Sequence, residues 1–233
     1  MRCPNCGTEL PPTAKFCLEC GQPVTPAPAP YASPAAYTPP HLAERILASG
    51  RALEGERKQV TVLFCDLVGS TPLAERLGPE RMHVLLNGFF ELALAAVHRF
   101  EGTINQFLGD GFMALFGAPL AHEDDGRRGV QAAVAIRRAL RDRGSWAGLG
   151  PGGELAVRMG LNTGLVVVGA IGDNLRMDYT AVGDTTNVAA RLQQAAEPGH
   201  ILVSEATARL VRGDVRLLPA GALAVKGKSE PVS

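Results

Sequence analysis

From Val60 to Cys65 the chain runs Val-Thr-Val-Leu-Phe-Cys, a pattern that predicts a strand buried on both faces. The run stops on Asp66, and a Gly-Ser-Thr-Pro turn is expected after it. Over residues 79–100 the period changes. Met82, Leu85, Leu86, Phe89, Phe90, Ala93 and Val97 recur at steps of three and four, which predicts a long helix with one stripe facing a core. Residues 102–116 then read as strand, tight turn, strand, with Asp110-Gly111 at the tip as a type I′ hairpin signal. A second helix is predicted over 122–143, with Val130, Val134 and Ile136 inward and basic residues in its last turns, where the helix dipole favours them. A glycine-rich loop over 144–153 leads to two further strands, 154–162 and 165–171, the first with Leu155, Val157 and Met159 on one face. Ahead of the first strand, residues 41–56 predict a short lead-in helix carrying Leu42, Ile46 and Leu47 on one side. It reads as a surface cover.

The order strand–helix–strand–strand–helix–strand is an α+β, ferredoxin-like βαββαβ plan. The first 22 residues obey a different logic. Cys3-Pro4-Asn5-Cys6-Gly7 and Cys17-Leu18-Glu19-Cys20-Gly21 are two knuckles that together offer four thiolates, Cys3, Cys6, Cys17 and Cys20, to one tetrahedral Zn²⁺. Two disulfides are the alternative, which a reducing cytosol disfavours. So short a segment cannot bury enough surface to fold without its metal, and a site with four ligands has no open position, so the zinc is expected to be structural. The segment resembles the zinc ribbons at the start of many bacterial multidomain proteins. Such ribbons bind protein or nucleic acid, and the residues do not choose between them. The predicted organisation is a zinc ribbon (1–22), a semi-rigid proline-rich linker (23–40), the lead-in helix (41–56) and a main domain (57–233).

Composition narrows the picture further. The 233 residues suit one medium domain with a small appendage. Basic and acidic residues balance at 23 each, which argues against a nucleic-acid protein that works by bulk positive charge. No apolar run approaches the roughly 20 residues needed to span a bilayer, and Met1-Arg2-Cys3-Pro4 lacks a signal-peptide core. A soluble, cytoplasmic protein with no membrane partner is expected. Cys65, inside the first strand, is read as a small apolar filler.

The candidate chemistry starts from Asp66. A buried strand has little reason to end on a carboxylate unless the charge is capped, paired or bound to a cation. Asp110 serves a turn equally well, but two aspartates at the ends of neighbouring strands make a hard-oxygen site suited to Mg²⁺ or Mn²⁺. Asn187 and Arg191 are four apart and share a helix face. His122-Glu123-Asp124-Asp125 looks like a metal cluster but sits where a helix N-terminus favours acids, so it is not read as a ligand set.

Five segments in order, VLFCDLVGST, FLGDGFMALFG, VRMGLNTG, YTAVGDTTNVAARL and VKGKSEPV, resemble the class III nucleotidyl cyclases, the adenylate/guanylate cyclase catalytic domain, over roughly residues 56–231. The resemblance implies the plan above with C-terminal additions: a helix near 184–195, a strand over 201–203, a helix over 205–210 and two short closing strands. It makes Asp66 and Asp110 the holders of two Mg²⁺ or Mn²⁺ ions, Asn187 a ribose-orienting group and Arg191 a stabiliser of charge on the α-phosphate. Arg158 and Lys226 match the triphosphate-contacting cations, with Lys228 close by. Where ATP-using relatives typically carry Lys and an Asp or Thr, this chain has Gln106 and Thr180. Thr180 fits ATP, the Glu/Cys pair usual for GTP is absent, and the Gln106 amide both donates and accepts.

The resemblance therefore implies an adenylate cyclase making 3′,5′-cyclic AMP and pyrophosphate from ATP. Its sites are expected at the interface of a head-to-tail homodimer, with Asp66, Asp110 and Arg158 from one subunit and Gln106, Thr180, Asn187, Arg191 and Lys226 from the other. The alternatives are a guanylate cyclase, a catalytically silent nucleotide-binding regulatory module, and a zinc-ribbon adaptor whose larger domain only dimerises. Family domains continue past the VKGK segment into a further strand, so additional C-terminal regulatory domains are expected beyond Ser233.

Overall fold

The computed structural model describes residues 2, 6–11, 17, 19–20, 37–50, 57–144, 146, 149, 153–171, 177–180 and 185–221. In chain order the elements are α1 (Pro40–Gly50), β1 (Arg57–Leu67), α2 (Ser70–Leu77), α3 (Pro79–Arg99), β2 (Thr103–Leu108), β3 (Gly111–Phe116), α4 (Asp125–Arg143), β4 (Val157–Ile171), β5 (Met177–Thr180), α5 (Thr185–Ala195), β6 (Ile201–Val203) and α6 (Glu205–Leu210). The linker up to residue 36, the segment 51–56 and the two expected closing strands lie outside the described residues.

The strands form one six-stranded sheet, β2-β3-β1-β4-β5, with β6 running parallel to β4 and pairing with it at Met159–Leu161. The first four strands are the ferredoxin-like α+β sheet expected from the pattern, and β5 and β6 extend it beyond β4. Alternation along the central strands sorts the side chains into two layers. Leu63, Cys65, Leu67, Phe112, Ala114, Phe116, Met159 and Leu161 face one way, into a core closed by Leu85, Phe89, Ala93 and Val97 of α3 and Val130, Ala133 and Ile136 of α4. Val60, Val62, Met113, Leu115 and Val166 face the other way, where Ala189 of α5 covers them. Cys65 is buried in the first layer, as the filler reading requires.

Several local readings needed tertiary information. The segment after β1 is not a turn but α2, which starts at Ser70 after Gly69 (φ 68°). Pro72 falls in its first turn, where a missing N–H costs no helical hydrogen bond. The helix predicted from 122 starts at Asp125 instead, whose carboxylate accepts the His122 backbone N–H at 2.9 Å. The two strands predicted over 154–162 and 165–171 are one continuous strand, β4. Gly160 and Gly164 do not break it, because both face α5. A Cβ at Gly160 would collide with Gln193 N and Ala189 O, and one at Gly164 would lie 2.5 Å from Thr185 Oγ1. Here glycine marks a close approach rather than a bend.

The lead-in helix is an integral part of this body. Leu42 and Ile46 are fully buried, packed with Ala43 and Leu120, whereas Leu47 is 48% exposed. Just ahead of α1, the Tyr37 ring stacks on His98 and meets Phe107 edge-on at 5.3 Å. Among the described residues no helix is long and apolar enough to cross a membrane.

Candidate active site

β1 pairs with β3 on one side and β4 on the other, and the register sets Asp66 opposite both Gly111 and Arg158. The β2–β3 hairpin puts Asp110 next to Gly111, so the two aspartates meet at one end of the sheet. The turn differs from the I′ expectation. Only Gly109 has positive φ (71°), and Asp110 does not, the pattern of a turn with glycine at its first central position. Gly111 has another task. A Cβ there would stand 2.5 Å from Cys65 O and 2.9 Å from Asp66 Oδ1, so the missing side chain makes room for the carboxylate.

Electrostatics link the same groups. The Asp66 carboxyl is held above its ordinary range by partial burial first and by the charge of Asp110 second, while Arg158 and a side-chain hydrogen bond from Gln193 pull it back. Two acids that repel each other at the end of a half-buried strand, with one cation opposite, are a donor set that fits hard divalent ions. The Nε of Arg158 is buried without a hydrogen-bond partner.

Gln106 lies on this face too, since it pairs with Met113 and Met113 with Phe64. It is exposed. The register shifts between Ile104 and Gln106. Asn187 and Arg191 lie on α5 away from its buried positions Val188, Ala189, Leu192 and Gln193, Asn187 exposed and Arg191 half-buried. Thr180 ends β5, which pairs with β4 at Val167. Lys226 and Lys228 lie outside the described residues. Of the residues singled out from sequence, the structure thus brings Asp66, Asp110 and Arg158 together, sets Gln106 on their sheet face and leaves Asn187 and Arg191 turned outward. Gln193 was missed. Its signal was a polar residue in the apolar stripe formed by Val188, Ala189, Leu192 and Ala196.

A cavity of about 570 Å³ between α5, β6, α6 and residues 216–221 is lined by none of these groups. Within 122–125, His122, Asp124 and Asp125 are engaged in ion pairs. Glu101 meets His122 and, at 2.6 Å, Arg45, and Asp124 meets Arg128 at 2.6 Å. In the N-terminal segment, the Sγ atoms of Cys6, Cys17 and Cys20 lie within 4.8 Å of one another. Hydrogen bonds from the Thr8 side chain and backbone bring the Cys6 thiol down to about 6, while burial and the neighbouring sulfurs push Cys17 up to about 11, so the first thiolate of the cluster forms at Cys6. Cys3 lies outside the described residues.

A sheet of this order, with one aspartate ending its central strand and a second in the neighbouring hairpin turn, belongs with nucleotide-cyclising domains. The chain is a member of the adenylate and guanylate cyclase catalytic domain family, which matches residues 54–233, and a zinc-ribbon domain matches residues 2–24. It is 32% identical to adenylate cyclase 1 of Rhizobium meliloti over 199 residues, 84% of this chain but 30% of that protein. An uncharacterised Mycobacterium tuberculosis protein, Rv1320c, is 38% identical over 161 residues, 67% of this chain and 27% of that one. The chain therefore spans under a third of these curated relatives. Among solved structures, the adenylyl cyclase CyaB from P. aeruginosa superposes with TM-score 0.69 at 38% identity, covering 76% of this chain and 92% of that one. The guanylyl cyclase Cya2 does so with TM-score 0.69 at 36% identity, covering 77% and 91%. The chain has the catalytic domain of a nucleotidyl cyclase.

Proposed function

We propose that this chain is the catalytic part of an adenylate cyclase that converts ATP into 3′,5′-cyclic AMP and pyrophosphate. The ribose 3′-oxygen forms a bond to the α-phosphorus, the bond from that phosphorus to the bridging oxygen of pyrophosphate breaks, and the hydroxyl proton leaves to solvent. The observation that carries the reading is the meeting of Asp66 and Asp110 at one strand end, opposite Arg158. Two Mg²⁺ or Mn²⁺ ions, when bound there, acidify the hydroxyl and neutralise the triphosphate. The chain's own groups do the rest. Asp66 and Asp110 hold the ions, and Arg158 and Lys226 bind triphosphate oxygens. Asn187 orients the ribose, and Arg191 meets the charge that builds on the α-phosphate. Preorganised donors of this kind contribute about 3–4 kcal/mol each to lowering such a barrier.

The choice of ATP over GTP rests on Thr180 and on the absence of the Glu/Cys pair usual for GTP, while Gln106 weakens the discrimination. Solved relatives of both specificities are equally similar in fold, so the base-reading positions carry it. A homodimer is part of the proposal. Successive helical residues turn by roughly 100°, so Arg191 and Gln193 project to nearly opposite sides of α5. Because Gln193 faces Asp66 of its own chain, Arg191 is turned away from that Asp66 and serves the site of a second copy. The ribbon carries one structural Zn²⁺ on Cys3, Cys6, Cys17 and Cys20. The protein works in the cytoplasm.

The experiment is product formation from ATP and GTP in parallel, in Mn²⁺, with Asp66→Ala as control. Cyclic AMP should exceed cyclic GMP, and the control should fall by at least about 100-fold, the scale of losing an essential electrostatic element. Gln106 stands where ATP-using relatives typically carry Lys and motivates the second reading, a silent nucleotide-binding module. That reading is the correct one if neither nucleotide yields product.

A further inference from the structure

We infer that Gln193 is a positioning residue that holds the Asp66 carboxylate in its metal-binding orientation; this rests on the proposed role of Asp66. Gln193 is only 9% exposed, and a buried amide without a partner is destabilising. Its amide is close enough to Asp66 to pull that carboxyl down, as a hydrogen-bond donor does. The carboxylate only accepts, so the Gln193 Nε2 donates.

The placement is built rather than incidental. Gly160 lets the α5 backbone sit directly on β4 at Gln193 N and Ala189 O. Thr185 and Asn162 fasten the start of the helix to the same strand, through Asn162 Nδ2 to Thr185 O and Thr185 Oγ1 to Leu165 O, both at 2.9 Å. Gly160 is two residues from Arg158 on the same sheet face, and Arg158 is the cross-strand partner of Asp66. The helix therefore delivers the amide to the strand end where the two aspartates meet. A donor on one carboxylate oxygen fixes the side-chain rotamer and leaves the other oxygen to a cation, as partners of ligating groups do elsewhere. With Asn187 and Arg191 on the outward side of α5, one rigid helix would orient a metal carboxylate of its own site and supply transition-state donors to its partner's site.

The test titrates Mn²⁺ against the full chain in the presence of 3′-deoxy-ATP, which lacks the attacking hydroxyl, and reads free Mn²⁺ by electron paramagnetic resonance. Gln193→Met keeps the length and helix propensity but removes the donor. Gln193→Asn keeps the amide but draws it back by one methylene. Both should weaken Mn²⁺ binding by about 10–100-fold, the usual scale for losing such a partner, with the thermal midpoint within a few degrees of wild type. Asp66→Ala should abolish the tight site. The inference is overturned if Asp66→Ala removes Mn²⁺ binding while both Gln193 variants bind as wild type, or if they lose it only by unfolding. If Asp66→Ala leaves Mn²⁺ binding unchanged, the metal role of Asp66 fails and Gln193 with it.

Discussion

Asp66 reaches its place because its neighbour across the sheet has no side chain. The gap over Gly111 is the volume that the carboxylate uses, so Gly111→Ala pits a methyl against both Asp66 Oδ1 and the Cys65 carbonyl. Overpacking of this kind typically costs about 1–3 kcal/mol. A lower thermal midpoint together with a larger loss of cyclase activity is the expected pair of results; loss of stability alone would detach the glycine from the site. His98 offers a second residue-scale test. Burial, then the nearby His41 charge, lowers its pKa to about 4 from 6.5, and its Nε2 is buried without a partner. The unfolded chain therefore binds a proton here that the folded chain refuses. This contribution to stability is present above about pH 6.5 and is lost as pH falls toward about 4. Thermal midpoints measured from pH 7 to 4.5 should fall less for His98→Phe, which keeps a ring against Tyr37, than for wild type.

At the scale of elements, α1 behaves as part of the core. Ile46 is fully buried, and Ile46→Ala should cost about 2–5 kcal/mol in denaturant unfolding, the range for buried large-to-small changes. Arg45, paired with Glu101 at 2.6 Å but 47% exposed, should matter by less than about 1 kcal/mol. The contrast between the two variants separates a docked helix from a merely tethered one. The expected one-sided apolar helix was legible in Leu42 and Ile46. Its partner Leu120 lies in the loop between β3 and α4, and no local pattern could name it. β4 makes the same point in reverse. Gly164 falls in the gap between the two strands expected there, yet it and Gly160 turn out to be the seats of α5.

For the whole molecule, the outward placement of Asn187 and Arg191 leads to a mixing experiment. Asp66→Ala and Arg191→Ala should each be inactive alone. If two copies share two sites, random mixing makes half the dimers mixed, each with one intact site, and activity should return to about a quarter of wild type. A mixture that stays inactive would place both residues in one subunit's site. The β1 and β3 strand ends announced the aspartates, because carboxylates that interrupt apolar runs are visible in one dimension. Gln193 was not announced, because its polarity matters only through a partner 127 positions away, numbered 66 against 193.

The one-dimensional pattern by itself determined the strand–helix–strand–strand–helix–strand plan without α2 or the continuity of β4, the paired cysteine knuckles and the two aspartates at strand ends. Each follows from short-range periodicity or spacing, which the backbone enforces locally. Tertiary structure alone decided which sheet face α5 covers, why Gly111 and Gly160 are glycine, and that Gln193 meets Asp66. Those are distances between segments remote in the chain, and packing rather than local preference sets them.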